Sequence, residues 1–356
     1  ATNRLKQVTD PVASGLYSMD IDNQTSSTNY SYDGTGNLVG DVSEDMTVDW
    51  TVYGKVKQVS YTNGKVIKFL YDAVGNRVQK DVTGSSTTSE NGTTYYFLDP
   101  QGKQVAMYRW DGQTTDSVEV EYTLYGSERV GQRREVFNAN DRNVLTTSIT
   151  VREDVHNSGR RYNRTIERNI YELTDHLGNV RVVIGDVKEL QSGGWYAADV
   201  KSYSNYDAFG MEQPGRCWQA EEYRYGFNGK EKDNEVKGAG NSYDFGARIY
   251  DPRVGSFLSV DPLANKVPFQ SPYTFAANSP IASIDKDGKY PLWKHFDMTY
   301  EALDGAGIDK QTAIRIAHLA STYADNPSAG DVLIWAYNYT AMPIAGYWPG
   351  RLSKDE

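Results

Sequence analysis

The chain has 356 residues, a formal net charge of −10 and a single cysteine, Cys217. The acidic balance argues against a protein that binds nucleic acid through phosphate attraction. A lone cysteine excludes an intrachain disulfide and a zinc-thiolate cluster. The longest nearly apolar stretch, residues 336–348, is too short and too interrupted by polar residues to span a bilayer. We therefore expect neither a nucleic-acid partner nor a membrane span.

A turn motif recurs along the chain: an aspartate, two variable residues, a glycine and then a return to apolar or basic residues. It begins at Asp33, Asp72, Asp99 and Asp175. Aspartate can accept hydrogen bonds from backbone amides two residues on, and glycine adopts the positive φ that closes the bend. The aspartates are therefore expected to form turns and not to bind ligands. Such repeats indicate that most of the protein is a wound β-structure.

Strands alternate with turns over residues 1–135. The clearest hairpin spans residues 56–71 with Asn63-Gly64 at its bend, and Asn-Gly is the preferred pair for a type I′ turn. The chain has 27 tyrosines against 10 phenylalanines, which suits strands whose rings pack while their hydroxyl groups reach water or a partner. The period of two places three side chains of the second strand on one face. They are Ile67, Phe69 and Tyr71.

Residues 136–170 are more polar and contain the densest basic stretch, residues 160–164. This pattern predicts a long hairpin or an insertion. Two interpretations of its charge stay open. It is either a solvated edge, which blocks unwanted strand pairing, or a basic contact surface.

The pattern changes beyond Asp287-Gly288. Residues 310–320 show helical spacing and good helix formers, and Asp309 stands where an N-cap belongs. Residues 290–356 are therefore predicted to form a separate, small, mostly α-helical domain.

Residues 243–263 read YDFGARIYDPRVGSFLSVDPL, and the pattern continues through residues 271–280. This segment closely resembles the core-associated segment of rearrangement-hotspot (Rhs) and YD-repeat proteins. Residues 173–181 and 225–231 resemble the version common in Bacteroidetes-type bacteria. The resemblance covers about residues 20–289.

The resemblance implies a spiralling antiparallel β-sheet ribbon that forms a hollow shell, is capped by the core-associated segment, and is followed by a variable C-terminal domain. The corresponding domains are a YD-repeat β-shell over 1–240, the core-associated segment over 241–289 and the helical domain over 290–356. The repeats are few, so we expect a partial shell. Many family members enclose a toxic C-terminal domain, which implies a secreted or cell-surface protein in interbacterial competition, with its own C-terminal cargo and an immunity protein as partners.

The resemblance also implies self-cleavage by an aspartyl autoprotease, with Asp251 and Asp261 as the carboxylates and Arg248 as their charge partner. Two close carboxylates split their pKa values and so supply an acid and a base together. The cut would fall at Lys289-Tyr290. The family closes this segment with Asp-Pro-x-Gly-Leu, whereas residues 285–289 lack the proline and the leucine. Self-cleavage is therefore expected to be weak or lost, and the aspartates preceding Pro252 and Pro262 are also good turn starts.

The tail faintly resembles helical zinc-hydrolase toxin domains through His295, His318 and Asp325, whose side chains are suitable zinc ligands. The alternative is that His318 packs inside a helix that ends before Pro327. No other cofactor is expected, because no phosphate loop is present. Three functions therefore stay open: a shell that delivers a C-terminal effector, a non-enzymatic scaffold of a surface or secretion complex, and a zinc-dependent hydrolase in the tail.

Overall fold

The structure is a computed structural model that describes residues 3–12, 20–111, 117–138, 149–154, 161–166, 168–220, 222–266, 270–281, 283–289 and 303–325. The chain divides into two compact units, Ala1–Lys289 and Tyr290–Glu356. Each is described by itself. Among the described helices, none is long and apolar enough to cross a membrane.

Unit 1 is mainly β and is built on one antiparallel sheet of 14 strands. Each strand follows its sequence neighbour along the sheet, except that the strand Arg129–Asn138 pairs directly with the strand Asn169–Thr174. Its strands are β1 (Tyr30–Tyr32), β2 (Leu38–Asp41), β3 (Met46–Trp50), β4 (Val56–Tyr61), β5 (Val66–Tyr71), β6 (Arg77–Thr83), β7 (Gly92–Leu98), β8 (Gln104–Trp110), β9 (Ser117–Tyr125), β10 (Arg129–Asn138), β13 (Asn169–Thr174), β14 (Val180–Leu190), β15 (Tyr196–Tyr206) and β16 (Glu212–Gln219).

The predicted insertion between residues 136 and 170 is confirmed. β11 (Ile149–Asp154) and β12 (Arg161–Ile166) form a separate antiparallel pair outside the large sheet. The choice between a solvated edge and a basic contact surface concerns side chains outside the described residues and stays open.

The predicted hairpin of residues 56–71 is also confirmed, with Val59 opposite Ile67. Ile67 and Phe69 are buried on one face, as the period of two requires. The predicted type I′ turn is wrong. A type I′ turn needs a positive φ at both central positions. Gly64 has a φ of +90°, but the φ of Asn63 is not positive. Asn63 instead accepts a hydrogen bond from the Lys65 N–H, which stabilises a wider loop.

The aspartate turns form as predicted. In the first, the Asp33 carboxylate accepts hydrogen bonds from the N–H groups of Thr35, Gly36 and Asn37. Asp72 and Asp99 accept equivalent backbone bonds. The turns close because each glycine has a positive φ, which a residue with a side chain rarely adopts.

Residues 222–289, here called the overlay segment, pack against one face of the large sheet. They contain a four-stranded antiparallel sheet and short helical turns. Its elements are β17 (Glu231–Lys232), β18 (Tyr243–Asp244), β19 (Ile249–Asp251), β20 (Ser256–Phe257), helix α1 (Asn234–Lys237) and 3-10 turns at Phe227–Gly229, Ala264–Lys266 and Ala276–Asn278; a further 3-10 turn, Thr88–Glu90, precedes β7.

The core lies between the sheet and the overlay segment. Val236, Ile249 and Leu258 of the overlay pack with buried residues of β1 to β6. A second cluster is aromatic, and a third joins β13 and β14 to the start of the overlay. The aromatic cluster contains Tyr206, Phe227, Tyr243, Phe245, Tyr250, Phe257, Phe275 and Ala276.

The described part of unit 2 contains helix α2 (Lys310–Asp325). The Asp309 carboxylate accepts a hydrogen bond from the Thr312 N–H at 3.1 Å, which confirms the N-cap. Most of unit 2 lies outside the described residues, so the helical domain of 290–356 stays a prediction, as do the domain boundaries.

Candidate functional site

Arg248, just before β19, is the centre of the candidate site. Its side chain is 1% exposed, and its Cζ lies 3.5 Å from the centroid of the Phe257 ring. The guanidinium Nε donates a hydrogen bond to the Gly288 carbonyl at 2.5 Å, and Nη1 donates to the Pro272 carbonyl at 3.2 Å. The aromatic cluster thus fixes a buried cation against the backbone that precedes the predicted cleavage site.

Two carboxylates face this guanidinium. Arg248 Nη2 lies 2.6 Å from Asp261 Oδ2 and 3.5 Å from Asp285 Oδ2. Both carboxylate side chains are at most 1% exposed. One cation therefore holds two buried acids, an arrangement in which both acids are not readily ionised together.

Burial raises the pKa of Asp285 to about 6 from its usual 3.8. The Arg248 charge and hydrogen bonds from the N–H groups of Gly288 and Lys289 act in the opposite direction, while the nearby Asp261 adds to the increase. Desolvation is the largest of these effects because the carboxyl lies in the protein interior. Asp285 thus changes its protonation state close to neutral pH.

Residues 285–289 form another aspartate turn. The Asp285 Oδ1 accepts a hydrogen bond from the Lys289 N–H at 3.1 Å, and Gly288 has a φ of +67°. A Cβ at Gly288 would lie 3.0 Å from the Arg248 backbone nitrogen, so only glycine fits there without a shift. The Ala247 N–H donates to the Asp287 carbonyl at 3.0 Å and fixes the turn to the loop before β19.

The pKa values of the partly buried turn aspartates shift in the opposite direction. Slight burial works toward a higher pKa at Asp33, but hydrogen bonds from Thr35 and Asn37 outweigh it and hold that pKa below its usual value. The pKa of Asp72 is lowered in the same way by Asn76. The same turn geometry thus holds carboxyl groups with lowered pKa values at Asp33 and Asp72 and one with a raised pKa at Asp285. Burial of Asp285 accounts for the difference.

Asp251 lies in a different cluster. Its Oδ2 is 3.0 Å from Lys237 Nζ and 3.1 Å from the Arg253 guanidinium, and Lys237 also contacts Asp41 at 2.8 Å. Although burial opposes it, the charges of Lys237 and Arg253 lower the pKa of Asp251. An ionised, doubly paired carboxylate of this kind is typical of a structural ion cluster.

The structure thus places predicted Arg248 beside predicted Asp261 but pairs Asp251 with other cations. Lys289 ends the turn, and Tyr290 lies outside the described residues. Sequence reasoning missed Asp285 as the second acid at Arg248. Its signal was present, because Asp285 and Gly288 repeat the spacing of the earlier aspartate turns.

The predicted zinc ligands are not brought together by any described contact. His295 lies outside the described residues, and so do the side chains of His318 and Asp325 on α2. Among the described residues, no group of three or more His, Cys, Asp or Glu side chains is placed to hold a metal.

The chain spans only a small part of the length of the curated relatives it matches. The chain is 27% identical over 233 residues to Salivary gland surface protein 1 of Aedes aegypti, covering 63% of this chain and 6% of the relative. It is 26% identical over 303 residues to the tRNA nuclease WapA of Bacillus subtilis strain 168, covering 81% of this chain and 10% of the relative. The tRNA3(Ser)-specific nuclease WapA of Bacillus spizizenii matches at 27% identity with the same coverage. No family model matches the chain.

Solved structures of TcdB2-TccC3 share the fold. One superposes with a TM-score of 0.51 at 18% identity, covering 72% of this chain and 11% of that chain. TcdB2-TccC3-TEV superposes with a TM-score of 0.50 at 20% identity and the same coverage. These likenesses agree with the resemblance to Rhs proteins in the sequence. The Bacteroidetes-type version stays a prediction.

Proposed function

We propose that this chain is an Rhs-type, toxin-related protein whose overlay segment cuts the backbone after Lys289. The similarity to WapA nucleases and the fold shared with TcdB2-TccC3 support the toxin-related class. Residues beyond Lys289 would be the released effector. The observation that carries the proposal is the contact of Arg248 with two buried carboxyls at the turn that ends at Lys289.

The two carboxyls would have different roles. Asp261 is 2.6 Å from the guanidinium and would act as the ionised base, while Asp285 has a pKa of about 6 and would act as the protonated acid. Water would lose a proton to Asp261 and add its hydroxyl to the Lys289 carbonyl carbon, as Asp285 gives its proton to the carbonyl oxygen. When the tetrahedral intermediate breaks down, that oxygen returns its proton to Asp285. The bond between the Lys289 carbon and the Tyr290 nitrogen breaks, and Asp261 passes its proton to that nitrogen. The products are a carboxylic acid at Lys289 and an amine at Tyr290.

Intact mass spectrometry of the purified chain tests the proposal. We expect the masses of residues 1–289 and 290–356 to accumulate with time, and to accumulate roughly 20-fold faster at pH 5.5 than at pH 7.5, because a pKa of about 6 protonates far more Asp285 at the lower pH. Asp261→Asn and Asp285→Asn should stay uncut.

Asp72→Asn is the matched control, because Asp72 occupies the same turn position but lies far from Arg248 in the sequence and is only partly buried. It should cut at the parental rate. A single uncut mass for the parent at both pH values would refute the proposal, as would a cut at any other bond.

A scaffold without protease activity is the second candidate. It is favoured by the burial of Arg248, Asp261 and Asp285, which are all at most 1% exposed and so shielded from the water that hydrolysis needs. The replaced proline and leucine of residues 285–289 point the same way. The uncut parental mass that refutes cleavage is the result that this candidate expects.

The other partners follow from the same proposal. A toxin-related chain would act outside the producing cell, be secreted or displayed on its surface, and require an immunity protein in that cell. The TcdB2-TccC3 neighbours favour assembly into a larger toxin complex. A zinc-dependent hydrolase in the tail remains a proposal that rests on His295, His318 and Asp325 alone.

A further inference from the structure

A cleft of about 530 Å³, here called the lysine cleft, lies between strand ends in the large sheet and the overlay segment. On the sheet side it is lined by the glycine turns at Gly75 and Gly102. On the overlay side it is lined by residues 244–247 and by the turn that ends at Lys289. Its volume suits a small-molecule ligand.

Four lysines converge on this cleft: Lys55, Lys230, Lys286 and Lys289. Within the described residues, none of the four lies within ion-pair distance of a carboxylate. Lys55 Nζ instead donates to the Gly246 carbonyl at 2.5 Å, and Lys230 Nζ donates to the Lys286 carbonyl. Neutral carbonyl groups orient these ammonium groups but add no negative charge to balance theirs.

Desolvation lowers the pKa of both Lys55 and Lys230, and each also feels a neighbouring cation, Lys289 for Lys55 and Arg129 for Lys230. Carboxylates act in the opposite direction without restoring the usual pKa: Asp244 and Asp72 at Lys55, and Asp287, Asp285 and Asp244 at Lys230. The ammonium groups are therefore crowded and partly dehydrated, which is the condition that a bound anion relieves.

The other charges of the cleft are mostly paired. Asp244 pairs with Arg77 at 2.9 Å, and Glu231 pairs with Arg224 at 3.3 Å. Arg129 pairs with Glu172 at 2.6 Å. Exposed Asp287 is the carboxylate that remains against the four lysines. A net positive site thus exists on a chain whose formal net charge is −10.

We propose that the lysine cleft binds a small, multiply charged phosphate anion. Lysine ammonium groups bind phosphate as point charges, and four lysines lining one open cleft favour several phosphate groups over one. The volume is limited and the rest of the chain is acidic, which disfavours a long nucleic acid. The cleft adjoins the proposed cut at Lys289 but differs from it in chemistry, since its charges come from lysines whereas the cut uses Arg248 and two aspartates.

Isothermal titration of the full chain with tripolyphosphate at pH 7.5 and 50 mM NaCl tests this site. We expect saturable binding of one anion per chain with a Kd below about 100 µM, weakened at higher salt because the attraction is electrostatic. The double variant Lys55→Met and Lys286→Met should bind at least about tenfold more weakly. Neither side chain belongs to the proposed cleavage machinery.

The matched control is Lys57→Met with Lys188→Met, which removes the same charge from two exposed lysines outside the cleft. It should retain the parental Kd. Absence of binding by the parent, equal weakening in the control, or no weakening in the double variant would overturn the proposal. Binding of citrate at least as tight as that of tripolyphosphate would overturn the assignment to phosphate.

Discussion

At the scale of single residues, Asp285 shows how burial changes the chemistry of a repeated turn. Asp72 and Asp285 occupy the same position in the same kind of turn, and both accept backbone hydrogen bonds. The pKa of Asp72 is lowered, whereas that of Asp285 is raised to about 6 because Asp285 is buried within the overlay segment. The pH dependence of folding should therefore report on Asp285.

We predict that the parent loses stability relative to Asp285→Asn as pH rises. The pKa of Asp285 is about 6 in the folded chain against 3.8 for an unperturbed carboxyl, so the folded state binds the extra proton between these values. The free energy of unfolding should fall relative to the variant between about pH 4 and pH 6 and stay level above, by at most about 3 kcal/mol. Urea unfolding of both proteins at pH 4, 5, 6 and 7 measures it. A difference independent of pH would contradict the predicted pKa shift.

The motif alone could predict Arg248 and Asp261, because the resemblance specified both residues. It could not predict that Asp251 pairs with Lys237, nor that Asp285 faces Arg248. Those pairings depend on which groups the fold buries together, and Arg248 and Asp285 are 37 positions apart in the sequence. The zinc ligands stay a prediction because their side chains lie outside the described residues.

At the scale of elements, buried charges fasten the overlay segment to β6. Lys80 Nζ, with a side chain 1% exposed, lies 3.2 Å from Asp233 and 3.0 Å from Glu235. Arg77 lies 2.9 Å from both Asp233 and Asp244. Burial works against ionisation of Asp233, but Arg77 and Lys80 outweigh it and lower its pKa to about 2. The overlay segment therefore contacts β6 through buried ion pairs, which fix its position, as well as through hydrophobic packing.

We predict that Asp233→Ala destabilises unit 1 by about 3 to 5 kcal/mol, because it leaves Arg77 and Lys80 buried with less compensation. Denaturant unfolding measures the loss. The control Asp49→Ala removes an exposed carboxylate from β3 and should change stability by less than about 0.5 kcal/mol. Equal effects of the two substitutions would show that the ion cluster does not fasten the overlay segment.

The strand order could be predicted from the sequence because almost every pairing joins neighbours in the chain. The turn type of the hairpin at Asn63-Gly64 could not, since the Asn-Gly pair also suits a wider loop. The contact of β6 with the start of α1 joins Arg77 to Asp233, the residue before the helix, and the two are 156 positions apart. Such contacts depend on the packed fold and have no local pattern.

At the scale of the whole of unit 1, the overlay segment joins distant parts of the sheet. Val236, Ile249 and Leu258 pack with β1 to β6, while Tyr223 and Tyr225 pack with Ile170, Val180 and Val183 of β13 and β14. The aromatic cluster around Phe275 lies in the same segment and adds Tyr206 of β15. Unfolding of the overlay should therefore remove the packing of both parts of the sheet together.

Phe275→Ala tests that cooperativity. Phe275 is fully buried, and its ring centroid lies 4.5 Å from that of Tyr250 and 5.4 Å from that of Phe245. Loss of the ring should cost about 3 to 5 kcal/mol. If unit 1 unfolds as one cooperative body, hydrogen-exchange mass spectrometry should show the same loss of protection in β4 and β5 as in β13 and β14, because their slowest amides exchange through one opening.

The control Tyr53→Ala, at an 89% exposed position, should leave both regions unchanged. Faster exchange confined to residues 222–289 would mean that the sheet folds independently of the segment that covers it.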